Sequence, residues 1–273
     1  MISLGNLLFL GTGNMGGAVL RGLLGKGVAP AARLAMVEPN DAMASGYTQQ
    51  GVKRFSSAEE GFAWADLVLL CVKPHVFKTV APEWRNALQK SGRRPEFISV
   101  MAGVTVESIR LALANSLTLD VLRCMPNLPM SIGKGMVALA GDQAPAELVE
   151  KGKAIFAPVA NVAVVAESQL DAVTALSGSG PAWVFQFIEG LAQAGVMAGL
   201  TRDASMSMVL STIEGSLALV RESGKSPADL TVAVSSPAGT TIYGLKALEA
   251  SGFRSALMDA VMAAYERSKE LGK

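Results

Sequence analysis

The sequence predicts an α/β fold with a doubly wound sheet in its first half and helices alone in its second half. Up to about residue 166, short apolar runs alternate with helical patterns that glycine interrupts, which is typical of a sheet covered by helices on both faces. From Glu167 onward the 273-residue chain shows helical patterns almost to its end. No linker rich in Pro or Ser separates the halves, so we expect two closely packed domains, residues 1–166 and residues 167–273.

Composition excludes several classes of function. A net charge of +1, with no run of Lys or Arg, argues against nucleic acid or an anionic membrane as a partner. Glycines interrupt the N-terminal apolar run at once, so we expect neither a signal peptide nor a membrane span. Cys71 and Cys124 lie in apolar runs and predict buried thiols, hence a cytoplasmic protein. Because His75 is the single histidine, we expect no metal site.

The first predicted strand, Leu7–Leu10, runs directly into a glycine-rich turn and then into a helical pattern. The turn is a G-x-G-x-x-G motif made of Gly11, Thr12, Gly13, Asn14, Met15 and Gly16. The first glycine makes the turn, the second lets a pyrophosphate approach, and the third packs the helix on the strand. The motif predicts a Rossmann-type dinucleotide site with phosphates on the helix N-terminus. The alternative is a glycine-rich turn without a ligand.

The second predicted strand, Leu34–Val37, ends at Glu38, about twenty residues beyond the glycines, where an acidic side chain accepts hydrogen bonds from the adenosine ribose. The alternative is an exposed carboxylate at a strand end. Residues 39–41 contain no cation that would accommodate a 2′-phosphate. We therefore expect NADPH and NADH both to serve, with NADH slightly favoured by Glu38.

Further apolar runs predict strands whose carboxyl ends line a ligand crevice. They are residues 66–72, 97–101, 121–125, 133–139 and 161–165. The residues that end the first two of these strands are candidates for coenzyme binding: Val72, Lys73, Pro74, Met101, Ala102 and Gly103. Lys73 either reaches coenzyme or substrate or is a solvated lysine. Pro126 and Pro129 argue against helix and predict a rigid loop between two strands.

The segment Ser177–Ala182 precedes a long helical pattern. Gly178 and Gly180 permit a tight bend, and Pro181 suits a first helical turn with Ser179 as its N-cap. Apolar residues then recur at helical spacing, which predicts a buried face: Trp183, Phe187, Leu191, Ala194 and Ala198. The alternative is an ordinary core helix that begins at Gly-Pro.

Four more helices are predicted, over residues 202–220, 227–234, 240–250 and 253–270. They are rich in Ala, Leu, Met and Val and therefore carry more apolar surface than a single layer of helices can bury. We therefore expect a homo-oligomer. Before the third of them, a loop with two hydroxyl residues leads into the helix N-terminus, where N–H groups bind carboxylates. A plain helix cap is the alternative for this loop.

Taken together, the motifs at Gly11–Gly16, Ser177–Ala182 and Ser236–Thr241 resemble those of the pyrroline-5-carboxylate reductase family. Residues 72–75, 125–129 and 252–254 are similar to further signatures of that family. The resemblance spans essentially the whole chain. It implies reduction of Δ1-pyrroline-5-carboxylate to L-proline by hydride transfer from NADPH or NADH, and a helical domain that forms an interlocked dimer or larger assembly.

The same resemblance implies roles for single residues. The substrate carboxylate would be held by Ser236, Gly239, Thr240 and Thr241, and the Thr241 hydroxyl would hydrogen-bond the imine nitrogen directly or through water. Neither a metal nor a covalent intermediate is implied. Five positions depart from the family pattern. Glu38 stands where NADP-preferring members tend to have a small or amide residue. The other four are Ala58 in place of Asn, Met101 in place of Ala, Leu128 in place of Thr and Ala238 in place of Gly.

Two rival functions remain. A β-hydroxyacid dehydrogenase also joins a Rossmann domain to a helical domain, but it needs a catalytic lysine on the long helix, and residues 183–200 contain none. A non-catalytic dinucleotide-sensing regulator would keep the fold without turnover. The intact pair Thr240-Thr241 argues against it.

Overall fold

The computed structural model of the chain describes residues 4–114 and 119–271. The chain divides into two compact units, one formed by Met1–Ser179 with Ala264–Lys273 and the other by Gly180–Ala263. Within the described residues, no helix combines the length and hydropathy that crossing a membrane requires.

The first unit is built on a sheet in which eight strands can be described, in the order β3-β2-β1-β4-β5-β6-β7-β8. They are β1 (Leu7–Leu10), β2 (Leu34–Val37), β3 (Lys53–Arg54), β4 (Leu67–Leu70), β5 (Glu96–Ser99), β6 (Val121–Pro126), β7 (Gly135–Ala140) and β8 (Ala160–Val165). Neighbours pair in parallel except β6 and β7. Because the order reverses direction at β1 and β4, the sheet is doubly wound, as predicted.

The strand β1 shows why the apolar runs form a central sheet. Leu7 and Phe9 pack into one core cluster, and Leu8 and Leu10 pack into another on the opposite side. All four side chains are 0% exposed. Burial of each contributes about 1.5–3 kcal/mol, and only a strand covered on both faces obtains it from consecutive residues.

Twelve α-helices surround or follow the strands within the described ranges. They are α1 (Asn14–Gly25), α2 (Asp41–Thr48), α3 (Ala58–Trp64), α4 (Pro74–Ser91), α5 (Val106–Ala114), α6 (Ala146–Phe156), α7 (Leu170–Val173), α8 (Gly180–Met197), α9 (Arg202–Ser223), α10 (Pro227–Ala233), α11 (Thr240–Ala250) and α12 (Phe253–Leu271). The four helices predicted after residue 200 are confirmed, with ends shifted by three residues or fewer.

The loop predicted between Pro126 and Pro129 was wrong in part, since Leu128–Ile132 form a short 3₁₀-helix. Pro129 stands in its first turn, where its missing N–H is not needed. The Met130 N–H donates to the Asn127 carbonyl at 3.2 Å, and Met130 itself is buried. Two nearby prolines therefore exclude a long helix but not a single turn.

The predicted N-cap at Ser179 was also wrong. Ser179 already has right-handed helical angles, φ −82° and ψ −20°, and its N–H donates to the Thr174 carbonyl at 2.8 Å. The preceding residues, Thr174–Gly178, form one π-helical turn. Gly178 permits a close approach there, because a Cβ at this position would lie 2.5 Å from Met125 Cε.

Residues 167–178 pack against the sheet. Leu170 is 1% exposed and lies in a small cluster with Ala138 and Ala140 of β7. The buried Arg123 side chain pairs with Glu167 at 3.3 Å, and the same carboxylate oxygen accepts the Val106 N–H at 2.8 Å. The division between compact units therefore falls after Ser179, and the predicted domain boundary at residue 166 stays a prediction.

The helical face predicted as buried is exposed in the single chain. Phe187 and Leu191 of α8 are 41% and 39% exposed. The helices α8 and α9 contact each other at a buried hydrogen bond, in which Ser205 donates to the Ala192 carbonyl at 2.8 Å and Gly195 leaves room for the serine. Ala192 is the one buried residue of α8, so most apolar side chains of this helix are not covered within the second unit.

Candidate coenzyme and substrate sites

The turn between β1 and α1 gives each glycine of the motif a distinct place. Gly11 has φ +91° and donates its N–H to the Val37 carbonyl at 3.1 Å. Gly13 precedes α1 in extended geometry, and a Cβ there would meet no atom within 4 Å. A Cβ on Gly16 would lie 2.4 Å from the Gly11 carbonyl oxygen. The turn therefore needs its first and third glycines for the fold and leaves open space at the second.

A cavity of about 860 Å³ lies beside this turn at the carboxyl ends of β1, β2 and β4. Five predicted coenzyme residues line it: Gly11, Gly13, Glu38, Val72 and Lys73. A second cavity of about 390 Å³ shares Gly13 and is lined also by Thr12, Asn14 and Arg21. The larger volume falls within the range typical of cofactor sites.

The residues present fit a dinucleotide. The first turn of α1 carries no acidic side chain, and no side chain within the described residues caps its N-terminus. Its N–H groups and the positive end of the helix dipole therefore remain available for phosphates. The empty space at Gly13 lets such a group reach the backbone.

Glu38 is held firmly at the cavity wall and is only 7% exposed. Its Oε2 accepts the Thr12 N–H at 2.9 Å and the Thr12 hydroxyl at 3.0 Å. Its Oε1 accepts the Asn40 N–H at 3.0 Å. Since a carboxylate has about four acceptor positions, roughly one is left for a ribose hydroxyl. The carboxylate is thus oriented by the protein before any ligand binds.

Arg54 also lines the large cavity, although no sequence motif indicated it. Its Nε and Nη2 donate to the Glu38 carbonyl at 3.0 and 2.7 Å, and its Nη1 pairs with Asp41 at 2.6 Å. The residues directly after Glu38, positions 39–41, supply no cation. The two-residue strand β3 pairs with β2 and brings Arg54 opposite Met36. The sequence feature that indicates this strand is Gly51, where the chain turns before β3.

The remaining coenzyme candidates are placed differently. Lys73 is exposed and precedes α4, which begins at Pro74. Met101 is 2% exposed and belongs to a core cluster, so its side chain faces the interior. Ala102 is exposed, and a Cβ on Gly103 would lie 3.3 Å from the Leu271 carbonyl oxygen at the end of α12. Pro74 and Met101–Gly103 do not line the large cavity.

Neither cysteine is equipped as a nucleophile. Burial raises the pKa of the Cys71 thiol, which lines the large cavity, far above its usual range. Burial also raises the pKa of the Cys124 thiol, with the nearby Cys71 adding to the effect and Arg123 opposing it. Both cysteines are free. No group of three or more His, Cys, Asp or Glu residues with metal-binding geometry occurs in the part of the chain that the structure describes.

The predicted substrate residues lie in the second unit, around the start of α11. The Gly239 N–H donates to the Ser236 carbonyl at 3.0 Å, which closes a turn before the helix. In this turn Ala238 has φ +56°, the one positive φ of a non-glycine residue within the described ranges. No described side chain caps α11 at Gly239, and Thr240 and Thr241 occupy its first two positions. The N–H groups of the first turn are therefore free for an anion.

Two other motif segments contact each other in the first unit. The Asn127 amide oxygen accepts the Met136 N–H at 2.9 Å, and its nitrogen lies 3.4 Å from the Ser177 hydroxyl. This amide therefore joins the turn after β6 to the segment that leads into α8. Leu128, one of the departures, is 45% exposed beside it.

A doubly wound sheet with a glycine turn, a carboxylate after β2 and a separate helical unit define a nicotinamide-dinucleotide-dependent oxidoreductase. The family model for NADP oxidoreductase, coenzyme F420-dependent, matches residues 6–103. The model for pyrroline-5-carboxylate reductase dimerisation matches residues 167–271.

Individual relatives agree along the whole chain. Pyrroline-5-carboxylate reductase of Synechocystis sp. is 39% identical over 267 residues, 97% of both proteins. The chain therefore belongs to the pyrroline-5-carboxylate reductase family. A solved pyrroline-5-carboxylate reductase of Coxiella burnetii superposes with a TM-score of 0.88 at 31% identity, covering 99% of this chain and 100% of that one. The Plasmodium falciparum pyrroline carboxylate reductase, solved with NADP bound, gives a TM-score of 0.86 at 29% identity and 100% coverage of both.

Proposed function

We propose that this protein reduces Δ1-pyrroline-5-carboxylate to L-proline, with NADPH or NADH as the reductant. The observation that carries the proposal is 39% identity to a pyrroline-5-carboxylate reductase over 97% of the chain. The cavity beside the glycine turn supports the coenzyme half of the proposal, and the free N-terminus of α11 supports the substrate half. The β-hydroxyacid dehydrogenase alternative is not favoured.

The substrate residues act mainly by binding and orientation. The N–H groups of Thr240 and Thr241, with the Ser236 hydroxyl, hold the substrate carboxylate at the positive end of α11. Gly239, whose own N–H closes the turn onto the Ser236 carbonyl, has no side chain to crowd the Ser236 hydroxyl. The Thr241 hydroxyl hydrogen-bonds the imine nitrogen directly or through water. The neighbouring carbon gains a hydride, and the nitrogen gains a proton that comes from water. The reduced nicotinamide supplies that hydride when it is bound. Such catalysis consists mainly of holding the reacting atoms at the right distance and orientation.

The coenzyme residues divide into three groups. The turn from Gly11 to Gly16 receives the phosphates, and Glu38 receives the adenosine ribose. Val72, Lys73 and Pro74 after β4 lie toward the nicotinamide. The backbone of Met101, Ala102 and Gly103 after β5 does so too, while the Met101 side chain packs into the core. Their position after the carboxyl ends of parallel strands supports this assignment. We propose that NADH is slightly favoured, because the fixed Glu38 carboxylate repels a 2′-phosphate.

The assembly and location follow from the same residues. Residues 1–166 form the dinucleotide domain, and residues 167–273 form a dimerisation and substrate domain that pairs with a second copy. Exposed apolar side chains along α8 and α9 support the pairing, among them Phe185 at 55% and Met208 at 56%. Two free thiols support a cytoplasmic location.

An assay of coenzyme oxidation tests the function. Pure protein is mixed with NADH or NADPH and either Δ1-pyrroline-5-carboxylate or its six-membered analogue. We expect oxidation with the five-membered imine, and the analogue measures how closely the site fits ring size. Absence of oxidation with both imines, in protein that still binds NADH, would favour the dinucleotide-sensing regulator.

A further inference from the structure

We propose that Arg54 binds the 2′-phosphate of NADPH and that Asp41 competes with the phosphate for it. This pair would set how well the chain accepts NADPH beside NADH. The inference rests on the proposed function, since it assigns a residue to the coenzyme site of that reaction.

The position of Arg54 is the first reason. It reaches across the end of β2 and donates to two backbone carbonyls there, those of Glu38 at 2.7 Å and Pro39 at 3.3 Å. It lines the large cavity together with the Glu38 side chain. Glu38 is where the adenosine ribose is recognised in this fold, so a group on the ribose 2′-oxygen would face the guanidinium.

The charges around the cavity are the second reason. Four charged residues line it: Glu38, Arg54, Lys73 and Glu83. Glu38 has three donors that fix its carboxylate, so it cannot turn away from a phosphate. Lys73 follows β4, three strands from β3, which is roughly 14 Å at the usual spacing of strands. Arg54 is therefore the lining cation that lies beside Glu38.

The third reason is that the ion pair of Arg54 can be exchanged. Asp41 is 90% exposed, so its 2.6 Å pair with Arg54 Nη1 contributes little. A phosphate dianion carries more charge than a carboxylate, and both N–H groups of Nη1 can donate to it once Asp41 is displaced. The bonds of Nε and Nη2 to the Glu38 carbonyl meanwhile keep the guanidinium at the cavity. Asp41 thus acts as a competitor that a 2′-phosphate displaces.

Binding of two adenine nucleotides to the coenzyme-free protein tests the inference. Adenosine 2′,5′-bisphosphate carries the 2′-phosphate and 5′-AMP lacks it, and calorimetry gives the Kd of each. We expect Arg54→Ala to weaken the bisphosphate at least tenfold more than 5′-AMP, and Arg54→Lys to recover part of that loss. Asp41→Asn should strengthen the bisphosphate several-fold.

The control is Arg93→Ala, which removes another half-exposed arginine with a 2.6 Å aspartate partner, Asp66, outside this cavity. It should change neither Kd. If Arg54→Ala weakened the binding of both nucleotides equally, the inference would be overturned, and the role of Arg54 would be to stabilise the turn after β2. An unchanged Kd of the bisphosphate in Asp41→Asn would overturn the proposal that Asp41 competes with the phosphate for Arg54.

Kinetics give a second reading. The ratio of kcat/KM for NADPH to that for NADH should fall at least tenfold in Arg54→Ala and rise in Asp41→Asn. An unchanged ratio contradicts the inference while imine reduction with NADH, and with it the proposed function, stands. If the wild type binds neither nucleotide, the proposed function fails as well.

Discussion

The two compact units of this chain differ in what they bury. In the first unit, consecutive strand residues such as Leu7–Leu10 are 0% exposed, and two large core clusters flank the sheet. In the second unit, residues 180–263, only Ala192 and Ser205 are buried, while Phe185 of α8 is 55% exposed. The hydrophobic core of the first unit is therefore complete within one chain, whereas the helical unit needs a second surface to cover its apolar side chains.

The largest expected effect comes from breaking the apolar surface of the second unit. Phe185→Arg should raise the dissociation constant of the oligomer roughly a hundredfold or more. Burial of one Phe is worth about 1.5–3 kcal/mol, and a two-fold interface loses it twice. Light scattering at micromolar concentration measures the mass. The control is Leu111→Arg in the first unit, 47% exposed, which should leave the mass unchanged. A wild type that is monomeric would contradict the comparison.

The next prediction tests the packing of the glycine turn in the first unit. Gly16→Ala places a Cβ 2.4 Å from a backbone oxygen, so the turn must shift. We expect a loss of about 1–3 kcal/mol in the free energy of unfolding, the usual cost of overpacking. Gly13→Ala is the matched variant, since its Cβ meets open space. It should unfold like the wild type but bind 5′-AMP more weakly. Equal unfolding curves for all three proteins would contradict the packing role of Gly16.

Thr241→Ala tests the substrate half of the site. Loss of one hydrogen bond to the imine nitrogen typically costs about 1–3 kcal/mol, roughly a 5- to 150-fold decrease in kcat/KM for the imine. The fold and the Kd of 5′-AMP should be kept, and Thr241→Ser should recover most of the activity. Wild-type turnover in Thr241→Ala would mean that the hydroxyl does not contact the imine.

A smaller effect is expected at Glu38. Glu38→Ser removes a carboxylate that repels a 2′-phosphate, a term of roughly 1 kcal/mol once solvent and salt screen it. The ratio of kcat/KM for NADPH to that for NADH should rise several-fold, from a wild-type value slightly below one. A wild type that strongly prefers NADPH would show that Arg54 outweighs Glu38.

The smallest effect concerns the strained turn before α11. Ala238 has φ +56°, a region that costs about 1–2 kcal/mol for a residue with a Cβ, partly offset in a glycine variant by chain entropy. Ala238→Gly should therefore stabilise the protein by about 0.5–1 kcal/mol, measured by thermal unfolding. It should also loosen the turn and raise the KM for the imine. A destabilised variant would show that the surrounding structure requires Cβ of Ala238.

The contrast between the units also explains what the sequence could predict. Buried strands such as Leu7–Leu10 and Leu34–Val37 were predicted with their observed bounds, because continuous apolar runs report burial on both faces. The third strand, Lys53–Arg54, has two exposed residues and no such pattern. Arg54 was missed with it, since parallel pairing places it beside Glu38 although sixteen residues separate them.

Two further predictions were wrong because a local sequence pattern does not show which distant residues pack against it. A serine before Gly-Pro suggested an N-cap, but Ser179 follows a π-helical turn in which Gly178 lies against the distant Met125. The apolar pattern of α8 was read as burial, yet pattern alone does not say whether the covering surface belongs to the same chain. The substrate residues were assigned through the family resemblance, and their roles remain predictions.

The central claim is that this chain transfers a hydride to the carbon of a cyclic imine. The most direct measurement follows the hydride itself. The protein is incubated with Δ1-pyrroline-5-carboxylate and NADH deuterated at both C4 positions of its dihydronicotinamide ring, and the product is identified by mass spectrometry. The account predicts proline that carries one deuterium on its ring. Coenzyme that stays reduced in the presence of the imine, or proline without deuterium, would contradict it.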